Sequence, residues 1–133
     1  MNSKILIVED DQALNDAYSM ILSKHNYEVQ TASDGEEAIK KASEFTPDLI
    51  LLDMRMPILD GLGFLEKYKK SGKKNQAKIL VFSNLDSRKD VDEAFRLGAD
   101  KYIVKAWASP KELVQLVSDI LSSSDKIDQN NFT

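Results

Sequence analysis

Short apolar runs recur along the chain at Ile5–Val8, Leu49–Leu52, Ile79–Phe82 and Tyr102–Val104, and Glu28–Ala32 alternates between apolar and polar residues. Runs this short, rich in Ile, Leu and Val and bounded by polar residues, suit strands covered on both faces. Between them the apolar residues take helical spacing. Leu14, Ala17, Ile21 and Leu22 form one stripe, with Asn26 as its C-terminal stop. Ala38, Ile39 and Ala42 form a second that ends before Pro47, and Leu62, Leu65 and Tyr68 a third. Val91, Ala94 and Leu97 form a fourth, stopped by Gly98. The last helix has the clearest start: Ser109 as N-cap, Pro110 at the first helical position and Glu112 completing a capping box. Its stripe is Leu113, Leu116, Val117, Ile120 and Leu121.

Strands alternating with helices predict an α/β fold, a parallel sheet with helices on both faces, in which right-handed crossovers leave few topologies. Ligands of such sheets bind outside the carboxyl ends of the strands, so the strand ends carry the chemical information. They are Glu9–Asp10 after the first strand, Asp53 after the third, Ser83 after the fourth and Lys105 after the fifth. Clustered carboxylates repel and are costly to desolvate, so an arrangement that delivers them to one edge calls for a cation.

Composition narrows the chemistry. The 133 residues fit one domain. A net charge of −4 argues against a general binder of nucleic acid or anionic membrane. With no cysteine there are no disulfides, thiolate metal sites or thiol nucleophiles. No apolar run approaches the ~18 residues of a membrane span, and a strand so close to the N-terminus leaves no room for a signal peptide; the expected location is the cytoplasm. The polar segment 123–133, "SSDKIDQNNFT", is expected to be a disordered tail beyond a domain over residues 1–122.

Glu9, Asp10 and Asp53, when ionised, carry a charge that a divalent cation and the Lys105 ammonium together balance. Hard oxygen ligands of this kind suit Mg²⁺, which keeps several waters and takes one or two carboxylates directly. A cation beside an ammonium is a receptor for a phosphoryl group, and a carboxylate can serve as nucleophile to form an aspartyl phosphate. Asp53, the lone acid at the end of a wholly apolar strand, is the candidate.

At these residues the chain resembles the receiver domains of two-component response regulators. The resemblance runs from about Lys4 to Leu121 and rests on "ILIVEDD", "PDLILLDMRMPILDG", "ILVFSN" and "GADKYIVKA" in this order. It implies a doubly wound, flavodoxin-like sheet of strand order 2-1-3-4-5. It also implies that Asp53 is the phosphoacceptor, supplied by a histidine kinase or a histidine phosphotransfer protein in a Mg²⁺-dependent reaction, with Mn²⁺ as a substitute. By the same resemblance Asp10 and Asp53 are direct metal ligands, Glu9 acts through water and Arg55 contributes its backbone carbonyl. Ser83 binds a phosphoryl oxygen, Lys105 pairs with the acids and then the phosphoryl group, and Tyr102 is the aromatic switch. Gly61 holds the turn before the third helix. The output implied is binding of a downstream target protein through the face of the fourth helix, fifth strand and fifth helix, by a monomer for which dimerisation on phosphorylation stays open. The short tail leads to the expectation of no direct DNA binding, and the lack of a long apolar run to that of no membrane contact. The alternative is a pseudo-receiver, a docking or dimerisation module that is never phosphorylated.

The chain departs from the family pattern after the lysine, where Ala106 replaces the usual proline. A cis bond without proline costs about 3–4 kcal/mol, so a trans Lys105–Ala106 bond and a reshaped loop are expected. Asn84 and Arg55 are large side chains beside the acceptor, and both are expected to tune hydrolysis of the acyl phosphate. Other phosphate-handling classes fit poorly. A haloacid-dehalogenase-like phosphatase needs an acid where Arg55 stands, no GxxxxGK[ST] loop is present, and an FMN carrier would not place three acids after the first strand. His25 reads as a residue at a helix C-terminus, where the dipole favours it, and Asp11 as a helix cap.

Overall fold

The computed structural model describes residues 2–71, 77–84 and 87–122; the expected tail lies outside them. The elements are β1 (Lys4–Val8), α1 (Gln12–Lys24), β2 (Glu28–Ala32), α2 (Gly35–Phe45), β3 (Leu49–Leu52), α3 (Gly61–Lys70), β4 (Lys78–Ser83), α4 (Arg88–Arg96), β5 (Lys101–Val104) and α5 (Pro110–Ser122). All pairings are parallel and the strand order is β2-β1-β3-β4-β5. The alternation of elements predicts the parallel sheet, and the strand order is the one the family resemblance implies.

Strand side chains alternate between faces, and each face has its own core. Leu6, Val8, Ile50, Leu52, Ile79 and Val81 face α2, α3 and α4, where they meet Ala38, Ala42, Phe64, Leu65 and Ala94. Ile5, Ile7, Leu49, Leu51, Leu80 and Phe82 face α1 and α5, where they meet Tyr18, Leu22, Leu113 and Val117. Fully burying a side chain such as Leu22, Phe64 or Leu113 contributes about 1.5–3 kcal/mol, so the two faces together hold five helices against one sheet.

Each helix start is capped by a side chain, of which Asp11 and Ser109 are the two the sequence marks. Asp11, Asp34, Asp60 and Ser87 each accept a hydrogen bond from a backbone N–H in the first turn. Ser109 and Glu112 form the reciprocal capping box, with both bonds at 3.2 Å. The stops also match: Asn26 and Gly98 take positive φ, and α2 ends at Phe45 before Pro47. His25 caps the end of α1, its Nδ1 lying 2.9 Å from the Ile21 carbonyl.

The α1 stripe differs from the expected one. Ala17 is exposed, and Asn15, Tyr18 and Leu22 are the buried residues of the helix. A methyl side chain contributes too little apolar area to decide which face turns inward, whereas Tyr18 packs edge-on against Phe82, ring centroids 5.5 Å apart. The helix rotates to bury the larger side chain and carries a polar residue in with it.

Candidate functional site: an acidic pocket at the carboxyl edge

The site forms because strand register brings distant chain segments level. Val8 pairs with Leu52, so the next residues, Glu9 and Asp53, sit side by side, and the Asp53 N–H donates to the Val8 carbonyl at 3.0 Å. Leu52 pairs with Val81, which puts Ser83 just beyond them, and Ser83 pairs with Val104, which puts Lys105 at the same rim. The carboxylates of Glu9, Asp10 and Asp53 each offer an oxygen within 4.8 Å of the others. Glu9, Asp53 and Ser83 are buried and Asp10 is exposed, so Asp10 is the member of the cluster on the solvent side.

Lys105 closes the other side. Its ammonium bonds the Glu9 carboxylate and lies 3.4 Å from Asp53 Oδ2. The second Glu9 oxygen accepts from the Asp11 N–H at 3.1 Å, and Asp53 Oδ1 accepts from the Arg55 N–H at 3.4 Å. Burial pushes the Glu9 carboxyl up to about 7, against the hydrogen bond from Lys105 and with the charge of Asp53 adding to the rise. Burial alone would lower the Lys105 ammonium, but the hydrogen bond to Glu9 and the charge of Asp53 outweigh it and hold the group above its ordinary value. Three acids facing one ammonium leave negative charge in excess, and hard carboxylate oxygens at this spacing fit a small divalent cation. Glu9, Asp10 and Asp53 are the residues that would hold it.

The loop after Asp53 is braced by close backbone contacts. A Cβ on Gly61 would stand 2.6 Å from the Met54 Cα and 2.9 Å from the Asp53 carbonyl oxygen, so only glycine lets α3 begin here. A Cβ on Gly35 would lie 2.1 Å from the Leu59 carbonyl oxygen, so the start of α2 supports the same loop from outside. At the loop's tip the Leu59 N–H donates to the Pro57 carbonyl at 2.7 Å, and Ile58 between them has φ 69° and an exposed side chain.

Glu9, Asp10, Asp53 and Lys105 converge. Ser83 is buried at the end of β4. Arg55 and Asn84 are exposed at the rim. The Tyr102 ring is buried in the core beneath α4, a direction that alternation alone could not supply. Asp11 caps α1, its Oδ1 accepting from the Leu14 N–H. No peptide bond among the described residues is cis, and a 3₁₀ turn, Lys105–Trp107, follows β5 directly. Asn15 was missed. The clue to it was a polar residue at helical spacing from Tyr18 and Leu22, the buried stripe that bulk selects.

The domain is thus a five-stranded doubly wound α/β module with an acid-lined, lysine-closed cluster at its carboxyl edge. The family model described as "Response regulator receiver domain" matches residues 5–118, and the chain belongs to this family. It is 39% identical over 125 residues to the alkaline phosphatase synthesis transcriptional regulatory protein PhoP of Bacillus subtilis, covering 94% of this chain and 51% of that protein. It is 32% identical over 126 residues to the DNA-binding dual master transcriptional regulator RpaA of Synechocystis, covering 95% and 52%. Among solved structures, the CheY-like receiver domain protein from Methanospirillum hungatei superposes with a TM-score of 0.84 at 30% identity, covering 91% of this chain and 94% of that one.

These relatives correct one expectation. The chain spans about half the length of the curated relatives it matches, and those relatives are transcriptional regulators, one of them named as DNA-binding. The expectation of a protein that acts without direct DNA binding therefore does not stand. It leaned on the short tail, and the place where a sequence stops says nothing about what a receiver domain is joined to. Among the described residues no helix is long and apolar enough to cross a membrane.

Proposed function

We propose that this domain accepts a phosphoryl group on Asp53 from a histidine kinase or histidine phosphotransfer protein. The carrying observation is the meeting of Asp53 with Glu9, Asp10 and Lys105 at one rim. An Asp53 oxygen attacks phosphorus, the P–N bond to the donor histidine breaks, and the phosphoryl group remains as a mixed anhydride. Lys105, already 3.4 Å from Asp53 Oδ2, would shift its charge onto a phosphoryl oxygen, with the Ser83 hydroxyl binding another. A bound Mg²⁺ would supply neutralising charge for the transferring group; Asp10, Asp53 and the Arg55 backbone carbonyl would hold it directly and Glu9 through water.

The same event gives the output. Movement of Ser83 towards the phosphoryl group would change the packing beside the Tyr102 ring, which is already buried, so the surface around β5 would have two states biased by one charge. This reading assigns the domain to the cytoplasm, where kinases draw on ATP.

Incubation with Mg²⁺ and acetyl phosphate, followed by peptide mapping in a mass spectrometer, tests the reaction. The expected result is a base-labile phosphoryl adduct on the peptide containing Asp53, absent in Asp53→Asn. An adduct elsewhere, or none in the presence of Mg²⁺, refutes the assignment.

A further inference from the structure

Asn15 is a buried polar side chain in a helix whose other inward residues are apolar or aromatic. Its Nδ2 donates to two backbone carbonyls, that of Glu9 at 3.0 Å and that of Ala32 at 3.4 Å. Its Oδ1 accepts from the Ser19 hydroxyl at 3.5 Å, which sets which end of the amide faces the sheet. The Ala32 carbonyl also accepts from the Glu9 N–H at 3.0 Å. Strand pairing between β1 and β2 ends at Val8 and Ala32, so Asn15 ties the last residue of β2 to the residue that follows β1.

The peptide held there joins Glu9 to Asp10. Because a peptide unit is planar, the direction of the Glu9 carbonyl fixes the plane from which Asp10 departs. Asp10 is exposed and its side chain has solvent around it, so backbone placement is what aims its carboxylate at the pocket. Glu9 is oriented from both ends, by Asn15 and Ala32 at the backbone and by Asp11 and Lys105 at the carboxylate.

We propose that Asn15 is a positioning residue for the cation pocket, holding the Glu9–Asp10 peptide so that both carboxylates meet that of Asp53. The inference rests on the metal-binding reading above. A role in packing alone would be served as well by a leucine, which has the same branched outline, larger methyl ends and no donor. Partners one step behind metal ligands typically set affinity by tenfold or more.

The test is calorimetric titration of Mg²⁺ into the wild-type chain, Asn15→Leu, Asn15→Ser and Leu22→Ala, with melting temperatures measured alongside. Leu22 is buried in the same helix, in the core below the pocket, and serves as a control for lost packing. Both Asn15 variants are expected to bind Mg²⁺ about tenfold more weakly and to recover the wild-type rate of phosphorylation by acetyl phosphate at saturating Mg²⁺. Leu22→Ala is expected to melt earlier with its Mg²⁺ affinity unchanged. If Asn15→Leu fails to fold, Asn15→Ser, which leaves room for water to bridge the carbonyls, carries the comparison. Wild-type affinity in the Asn15 variants, an equal loss in Leu22→Ala, or a rate deficit that persists at saturating Mg²⁺ would overturn the proposal. A wild-type chain that takes up no Mg²⁺ refutes the cation pocket itself, a separate result read before any variant is compared.

Discussion

The Lys105 ammonium is bonded to Glu9, across 96 positions of sequence, and stands farther from Asp53, at 3.4 Å. The lysine therefore holds Glu9 closely and Asp53 more loosely. A carboxylate clamped by its counter-charge would be a poor nucleophile, so this division of contacts suits the acceptor role proposed for Asp53.

Glu9 should make the metal-free protein sensitive to pH. Its carboxyl is raised from 4.5 to about 7, with burial as the largest cause. The folded state then holds a proton that the unfolded chain has already lost, so stability is greatest on the acid side and falls as pH rises from about 4.5 to about 7. Melting curves across this range should show the decline, and Glu9→Gln should flatten it. Mg²⁺ competes with the proton, so its stabilising effect should be larger at pH 8 than at pH 6.

Replacing Asp53 by Asn should raise the metal-free melting temperature. One repelling charge leaves the pocket while Lys105 keeps Glu9 as its partner. A gain of about 1 kcal/mol corresponds to about 4 °C in a domain of this size. The same variant should bind Mg²⁺ more weakly and form no acyl phosphate. A melting temperature that stays level or falls would show that the acids do not repel one another as closely as their oxygens suggest.

Gly61→Ala should damage the loop behind the acceptor. The added methyl would meet backbone atoms, the Met54 Cα and the Asp53 carbonyl, which cannot turn aside as a flexible side chain does. Overpacking of this kind costs about 1–3 kcal/mol. Denaturant unfolding should show the loss, and the phosphorylation rate should fall with it, because the displaced atoms belong to Asp53 and its neighbour.

Arg55 and Asn84 are both exposed, two residues after Asp53 and one after Ser83. Alanine at both positions should admit water more freely and shorten the life of the acyl phosphate severalfold, with the folded state little changed. Loss of the phosphoryl label over time reads this directly. An unaltered lifetime would remove both side chains from any part in hydrolysis.

The strands were legible because a strand buried on both faces leaves an unbroken apolar run, as in Leu49–Leu52, where every residue is buried. The pocket was legible for a related reason. Parallel strands end on one edge, so the residue after each run marks a point on the same rim, and Glu9, Asp53 and Lys105 follow their runs directly. Asn15 was hidden because its role is to bond carbonyls, and carbonyls are common to every residue. Ala17 misled because its residue type counts as apolar while its area is too small to turn a helix. The inward turn of Tyr102 and the preference of Lys105 for Glu9 depend on packing in three dimensions, and no spacing along the chain encodes either.

Ile58 has a last consequence. A β-branched residue held at φ 69° with its side chain 73% exposed sits uphill by about 1–3 kcal/mol, and little core contact offsets it. Glycine at that corner would relax the backbone and sacrifice almost nothing inside the fold. The lip beside the acceptor is thus a place where the sequence stops short of its own most durable version, with that reserve a single substitution away.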